Sequence, residues 1–251
     1  MERGVRQCLV VAAMMLAATG ARAGDDDDFG VWTEVNAEKK LGSNLTLDGG
    51  IELRTRDNAG TLDRWSAGLG ASYKLTNWLK VSAGYTFLYD NLYKTNDKGT
   101  KYAEYWGPRH RFNVSLTGSH DFGRLNVSLR ERWQYTYRPE QTATRYYVNT
   151  TNSHAAGDEA DTHTYNGKGK NMWRNRLQLK YKVDKMWRPY VSGETYVGGS
   201  GMDKLRLSLG TEIRLSKQHS LDVKYMFQKA YDDDDEEGNR HVLGIGYTFK
   251  F

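Results

Sequence analysis

Cysteine is almost missing from this chain: 251 residues contain one, Cys8, inside an apolar N-terminal run. No disulfide framework is available, so the fold has to rest on backbone pairing and burial. Only three prolines occur, and nowhere do about 20 consecutive apolar residues occur, which excludes a membrane-spanning helix and leaves room for one large all-β domain. A surplus of one charge sign is also lacking, since 36 lysines and arginines face 31 carboxylates. The basic balance is therefore no argument for nucleic acid, and none is expected as a partner.

The N-terminus reads as an export signal. Arg3 and Arg6 precede the apolar run from Cys8 to Ala18, and Ala21-Arg22-Ala23 follows it, the pattern of a secretory signal peptide cleaved after Ala23. Cys8 lies at the start of the run rather than beside the cleavage site, which argues against a lipid anchor. Cleavage would remove Arg3, Arg6, Arg22 and Glu2, lowering the formal charge of +5 by two. The expected organisation is a signal peptide over 1–23, an acidic segment over 24–28 and a single β-barrel over 29–251.

Periodicity identifies the barrel. Leu45, Leu47, Gly49, Ile51 and Leu53 alternate with Thr46, Asp48, Gly50, Glu52 and Arg54, and a period of two is that of a strand with one apolar face. The same rule holds for 64–75, 79–89, 112–116, 125–135, 173–181, 205–213, 221–227 and 243–251, with weaker strands over 29–37 and 187–197. A barrel strand turns every second residue into a polar lumen, so the segment as a whole averages out as hydrophilic.

The connections alternate in length. Thr76-Asn77-Trp78, Asp121-Phe122-Gly123, Val183 to Met186 and Ser216 to His219 read as tight turns. Segments 57–62, 91–108, 139–170, 198–202 and 232–239 read as longer loops. Short periplasmic turns and longer external loops are the signature of an antiparallel transmembrane β-barrel in the outer membrane of a Gram-negative bacterium, with outer-membrane lipids around it. Trp65 with Tyr73, and Trp173 with Tyr181, fall where interfacial aromatic belts belong.

Eleven strands are visible, and single-chain bacterial barrels normally have an even number. If Phe251 ends in the periplasm, 39–43 is a periplasmic turn and 29–37 runs inward from outside, which is awkward for a chain arriving from the periplasm. About twelve strands are expected, one of them hidden, with ten as the alternative. One residue breaks the pattern: Glu131 has lipid-facing parity, so either a β-bulge shifts the phase between Leu129 and Trp133 or it pairs with an arginine near an interface. The bulge is the expectation.

The opposite parity builds a basic lumen from Arg54, Arg56, Arg64, Lys74, Arg109, Arg111, Arg130, Arg132, Arg174, Arg176, Lys180, Arg188, Arg206 and Arg214. Against them stand Glu52, Glu194, Glu212 and Asp222. Low-dielectric walls carrying positive groups concentrate anions, so one reading is a narrow channel or solute-binding lumen for a small anionic solute. The other is a packed structural ladder of Arg–carboxylate pairs. Both stay open.

No reaction is legible. The six histidines lack the His-Glu-x-x-His spacing, no Gly-x-Ser-x-Gly motif occurs, and His219-Ser220 and His110 with Ser115 have opposed parities. No catalytic residue, metal or cofactor is expected, although a barrel hydrolase using a cross-strand pair remains an alternative. The acidic runs Asp25 to Asp28 and Asp232 to Glu237 lack EF-hand spacing and read as solvated, with weak cation bridging as the alternative. Loop 139–170, with Tyr146, Tyr147, His154 and His163, reads as an exposed loop, a plug or a contact site.

The last strand, Tyr247-Thr248-Phe249-Lys250-Phe251, resembles the C-terminal signal of outer-membrane barrels. That resemblance assigns Tyr247, Phe249 and Phe251 to recognition by the barrel assembly machinery. Most of the mature chain resembles an outer-membrane β-barrel family, domain of unknown function 2490. The likeness rests on Glu52-x-Arg54, Gly68-Leu69-Gly70 leading to Tyr73, Gly84-Tyr85, His110-Arg111, Arg130-Glu131-Arg132, Glu194 and Gly246-Tyr247. It implies the barrel and its membrane but no reaction.

Overall fold

The computed structural model describes residues 27–151, 153–231 and 238–251. The signal-peptide expectation for 1–23, most of the acidic segment 24–28 and the run Asp232 to Glu237 therefore lie outside the described residues. Among the described residues the chain forms thirteen strands. These are β1 (Asp28–Leu41), β2 (Leu45–Arg56), β3 (Thr61–Lys74), β4 (Leu79–Thr95), β5 (Lys101–Phe122), β6 (Leu125–Arg138), β7 (Gln141–Tyr147), β8 (Glu159–Tyr165), β9 (Lys168–Tyr181), β10 (Trp187–Gly198), β11 (Gly201–Arg214), β12 (His219–Ala230) and β13 (Arg240–Lys250).

Eleven of them close a barrel in the order β4-β3-β2-β1-β13-β12-β11-β10-β9-β6-β5, completed by pairing of β5 with β4. Every pairing is antiparallel except one: β1 runs parallel to β13 from Asp28 beside Arg240 to Glu38 beside Lys250. The count is thus eleven rather than twelve or ten. An odd number of strands in up-and-down order leaves the first and last strands pointing the same way, so the seam must be parallel. The inward-running first strand, awkward from the sequence, is the strand that closes the wall. Parallel pairing is slightly weaker per residue, but full closure removes both sheet edges and their unpaired amides.

One end of the barrel carries the tight turns at 42–44, 75–78, 123–124, 182–186 and 215–218; the other carries the longer excursions. Segment 91–108, expected to be a loop, is mostly strand, because β4 and β5 continue past the rim and stay paired as far as Thr95 beside Tyr102. Segment 139–170, expected to be an irregular loop, is partly regular and joins the wall. Its β7 and β8 form a hairpin, and β7 takes up the free edge of β5 at Lys101 and Tyr102, extending the wall above β6. Segments 57–60 and 199–200 are short turns although they lie at the same end.

The outer wall is apolar and exposed. Val35, Ile51, Leu69, Leu129, Leu177 and Leu207 all face outward with large accessible areas, Leu69 at 73%. The outward parity also carries rings near both ends. Toward the long-loop end Trp65 packs near Phe87 and Tyr89, and Tyr89 on Trp106. Toward the tight-turn end His219, Phe249 and Phe251 form a second row. Three outward histidines are bound to tyrosine hydroxyls: His110 to Tyr85 at 2.8 Å, His219 to Tyr247 at 2.6 Å, and His241 to Tyr225.

The expected bulge at Glu131 does not occur. The registers of β6 with β5 and β9 run without a shift from Leu129 through Trp133. Glu131 keeps its outward parity and accepts a hydrogen bond from the indole N–H of Trp173 at 3.0 Å. A neighbouring indole, rather than a change of phase or an arginine, accommodates the carboxylate.

Candidate functional site

The alternation that exposes leucines outside delivers long polar side chains inside, and the lumen divides into layers. Its middle is packed. Each of the eleven barrel strands contributes a buried inward residue: Trp32, Arg54, Ser66, Leu88, Ser115, Gln134, Met172, Glu194, Arg206, Met226 and Val242. Trp32, Met226 and Val242 form a small apolar cluster on the seam side.

Cations and rings alternate across this septum. The Arg54 guanidinium lies 3.7 Å from the centroid of the Trp32 ring, and Arg206 lies 5.0 Å from it. Arg206 also sits 4.8 Å from the Tyr196 ring, on which Arg174 lies at 4.3 Å. A desolvated cation over an aromatic face is worth about 2 kcal/mol, so the row Arg54–Trp32–Arg206–Tyr196–Arg174 bridges β2, β1, β11, β10 and β9.

Glu194 anchors the row. It accepts from Arg130 at 2.5 Å, from Arg174 at 3.0 and 3.2 Å, and from the Tyr196 hydroxyl at 3.3 Å. Arg206 donates to the Tyr196 oxygen at 2.5 Å and to Gln228 at 2.7 Å. Arg174 reaches Gln134 at 2.8 Å, and Arg132 reaches Ser115 at 2.8 Å. One buried carboxylate thus serves two guanidiniums and a phenol, which satisfies donors that a low-dielectric lumen would otherwise leave unmet.

Above the septum, toward the long-loop end, lies a cavity of about 1300 Å³. Among the described residues, thirteen lysines and arginines line it against six carboxylates. Of the residues the sequence assigns to the lumen, Arg54, Arg56, Arg64, Arg109, Arg111, Arg174 and Arg206 border this cup. Asp90 holds two of them, pairing with Arg64 and with Arg109 at 2.8 Å. Around the rim Arg240 meets Asp28 at 3.2 Å and Asp63 at 3.0 Å, while Lys170 meets Asp203 at 2.6 Å. The last two described residues of the N-terminal acidic run, Asp27 and Asp28, therefore lie against His241 and Arg240.

The remaining assigned residues fall elsewhere. Glu52 accepts from Arg54 at 2.7 and 3.2 Å. Arg130, Arg132 and Glu194 belong to the septum, with Arg176 directly across the strands from Arg130 and Glu194. Glu212 pairs with Lys180 at 2.7 Å and with Arg214 at 2.9 Å nearer the tight-turn end, where Tyr190 donates to Asp222 at 2.9 Å. Tyr247, Phe249 and Phe251 form outer-face rings at that same end.

Sequence reasoning missed Trp32, Tyr196, Gln228, Asp90 and Asp203. Tyr196 shares the parity of Glu194 and could have been placed from it. Trp32 lies in a segment whose alternation is weak, because its inward neighbours include Gly30 and Asn36. Asp90 falls one residue beyond the expected end of its strand.

Outside the barrel, the β7–β8 hairpin is tied down by Asp161, which accepts from Arg145 at 2.6 and 2.8 Å and from Lys101 at 2.8 Å. These hydrogen bonds, from Arg145 first and then Lys101, hold the Asp161 carboxyl well below the usual carboxylate range. His154 stacks on Tyr147 and bonds Thr151, and Tyr105 stacks on Tyr165.

The model of a family described as "Protein of unknown function (DUF2490)" matches residues 29–249. No curated protein matches the sequence. Among solved structures, the translocator domain of the autotransporter NalP from Neisseria meningitidis is similar, with a TM-score of 0.56 at 12% identity and 92% of each chain covered. The NanC porin is similar at a TM-score of 0.50 and 12% identity, covering 90% of this chain and 99% of the other. These likenesses show the barrel fold.

Proposed function

The chain belongs to the DUF2490 family, and from that premise we propose that it is an outer-membrane barrel that captures small anionic solutes in the cup at its long-loop end. The single observation carrying this reading is the charge of the cavity: a space of about 1300 Å³ bordered, among the described residues, by thirteen basic side chains and six acidic ones. Many of those cations already pair within the protein, so the attraction resides in the net field of the lining rather than in any one free group. A concave, low-dielectric wall concentrates that field. Membrane placement draws support from the exposed outward leucines and the two rows of rings, and long loops face outward in such barrels. The cup then opens to the exterior, and the packed septum is its floor.

Isothermal titration tests the reading. Protein starting at Gly24, folded in a non-ionic detergent, is titrated with pyrophosphate, with spermine and with the neutral trisaccharide maltotriose. Saturable binding of pyrophosphate alone, weakening as salt rises, is expected. Equal heats from all three, or none from pyrophosphate, would remove the cup as an anion site.

A further inference from the structure

The outward wall is not uniform. On β2, β3 and β4 the outward parity runs through Leu47, Ile51, Leu69, Ala83 and similar residues with no charged group. On β6, β9 and β10 the same parity brings together Glu131, Asn175 and Thr195. Asn175 stands directly across from Glu131 and from Thr195 and donates to the Thr195 hydroxyl at 3.4 Å. Glu131 holds the Trp173 indole at 3.0 Å. Leu116, Leu129, Trp133, Leu177 and Leu207, all exposed, surround this row.

Its depth makes the row unusual. Glu131 is six residues from Leu125, the tight-turn end of β6, or about 14 Å along the membrane normal for a strand tilted by about 45°. That is near the middle of an apolar belt about 25 Å tall. Lipid tails supply neither donors nor acceptors, so a carboxylate, an amide and a hydroxyl at this depth gain by meeting polar groups of another protein surface.

We propose that this face is where a second copy of the chain docks. The row carries acceptors (the Glu131 oxygens, the Asn175 carbonyl) beside donors (the Asn175 amide, the Thr195 hydroxyl), and such a mixed row is complementary to itself across a two-fold axis. Two tryptophans within a ring of leucines supply the apolar contact that accompanies such a centre. The patch spans the five strands β5, β6, β9, β10 and β11, about 19 Å across at the usual strand spacing and some 20 Å high. That is on the order of 400 Å² per copy, roughly half of a standard interface, so the pair forms reversibly.

The inference rests on the membrane placement proposed above, and the test separates the two. Protein starting at Gly24 contains no cysteine. Val197→Cys, beside the row on β10, and Leu69→Cys, on the opposite wall, are each reconstituted sparsely in phosphatidylcholine vesicles and treated with a short bis-maleimide. Val197→Cys is expected to give at least tenfold more dimer. Adding Glu131→Leu with Asn175→Leu should bring its yield down to that of Leu69→Cys while the barrel keeps its folded, heat-modifiable gel mobility. Equal yields in folded, vesicle-bound protein overturn the docking face alone. Protein that does not enter the vesicles overturns the membrane placement and this inference together.

Discussion

Above and below the septum the same wall of strands builds two different lumens. The upper half is crowded with long basic side chains around an open cup. The lower half is lined by inward glycines and short polar residues, with charges of both signs close together, as in the trio Lys180, Glu212 and Arg214. Side chains there lie flat across their neighbours. A Cβ at Gly244 would meet the Lys224 stem at 2.6 Å, and one at Gly210 would meet Lys224 and the Tyr190 ring at 2.8 Å. Glycine there makes room for an adjacent side chain to lie along the wall. Barrel geometry is common to both halves; the net charge is set by which residues occupy the inward positions.

The largest effect is expected where the two halves meet. Glu194→Gln removes the carboxylate that holds Arg130 and Arg174, and breaking one partner of a buried ion pair costs about 3–5 kcal/mol. Urea unfolding followed by tryptophan fluorescence should show a clear drop in midpoint; an unchanged midpoint would mean the septum does not depend on this carboxylate.

Next comes the charge contrast itself. Arg111→Gln with Arg138→Gln, both on the cup, remove two positive charges from its lining and should weaken pyrophosphate binding by about 10-fold through the reduced field. Lys180→Gln, below the septum, should leave that affinity unaltered. Equal losses from both would erase the distinction between the halves.

A smaller change is expected from Tyr196→Phe, which keeps the ring under Arg174 and Arg206 but deletes the hydroxyl that links Arg206 to Glu194. The cost should be about 1 kcal/mol in the same unfolding assay.

The smallest concerns the hairpin above the rim. Because the Asp161 carboxyl is held below its ordinary value of about 3.9, its contribution is present above that pH and is lost as pH falls through the lower folded value. Amide exchange in β7 and β8 should therefore stay slow from neutrality to about pH 4 and quicken only below it, and Asp161→Asn should abolish that dependence.

Much of the barrel was legible because a period of two survives wherever one face is apolar and the other polar. The strand over 44–56 and the placement of Arg54, Arg64 and Arg174 around the lumen followed from parity alone. Eleven strands are countable from the sequence, but the odd-numbered closure is not legible there, since no local pattern in β1 or β13 announces that they pair in parallel. Trp32 stayed hidden because an aromatic ring carries no parity signal of its own when its inward neighbours are glycine and asparagine. The upper reach of β4 and β5 was lost for another reason: above the rim the wall no longer has an apolar side, and tyrosine, asparagine and lysine there look like loop. Glu131 was misjudged because its hydrogen-bond partner, Trp173, is 42 residues distant in sequence and its proximity depends on the pairing of β6 with β9.

The division of the lumen by a packed septum is tested most directly by planar-bilayer recording of the barrel beginning at Gly24, beside Glu194→Gln. The wild-type barrel is expected to insert without steady current steps, and Glu194→Gln to pass anion-selective current as Arg130 and Arg174 lose their shared partner. Steady, open-channel steps from the wild-type protein would contradict the account, because they require a continuous water path through the layer of Trp32, Arg206, Tyr196 and Glu194.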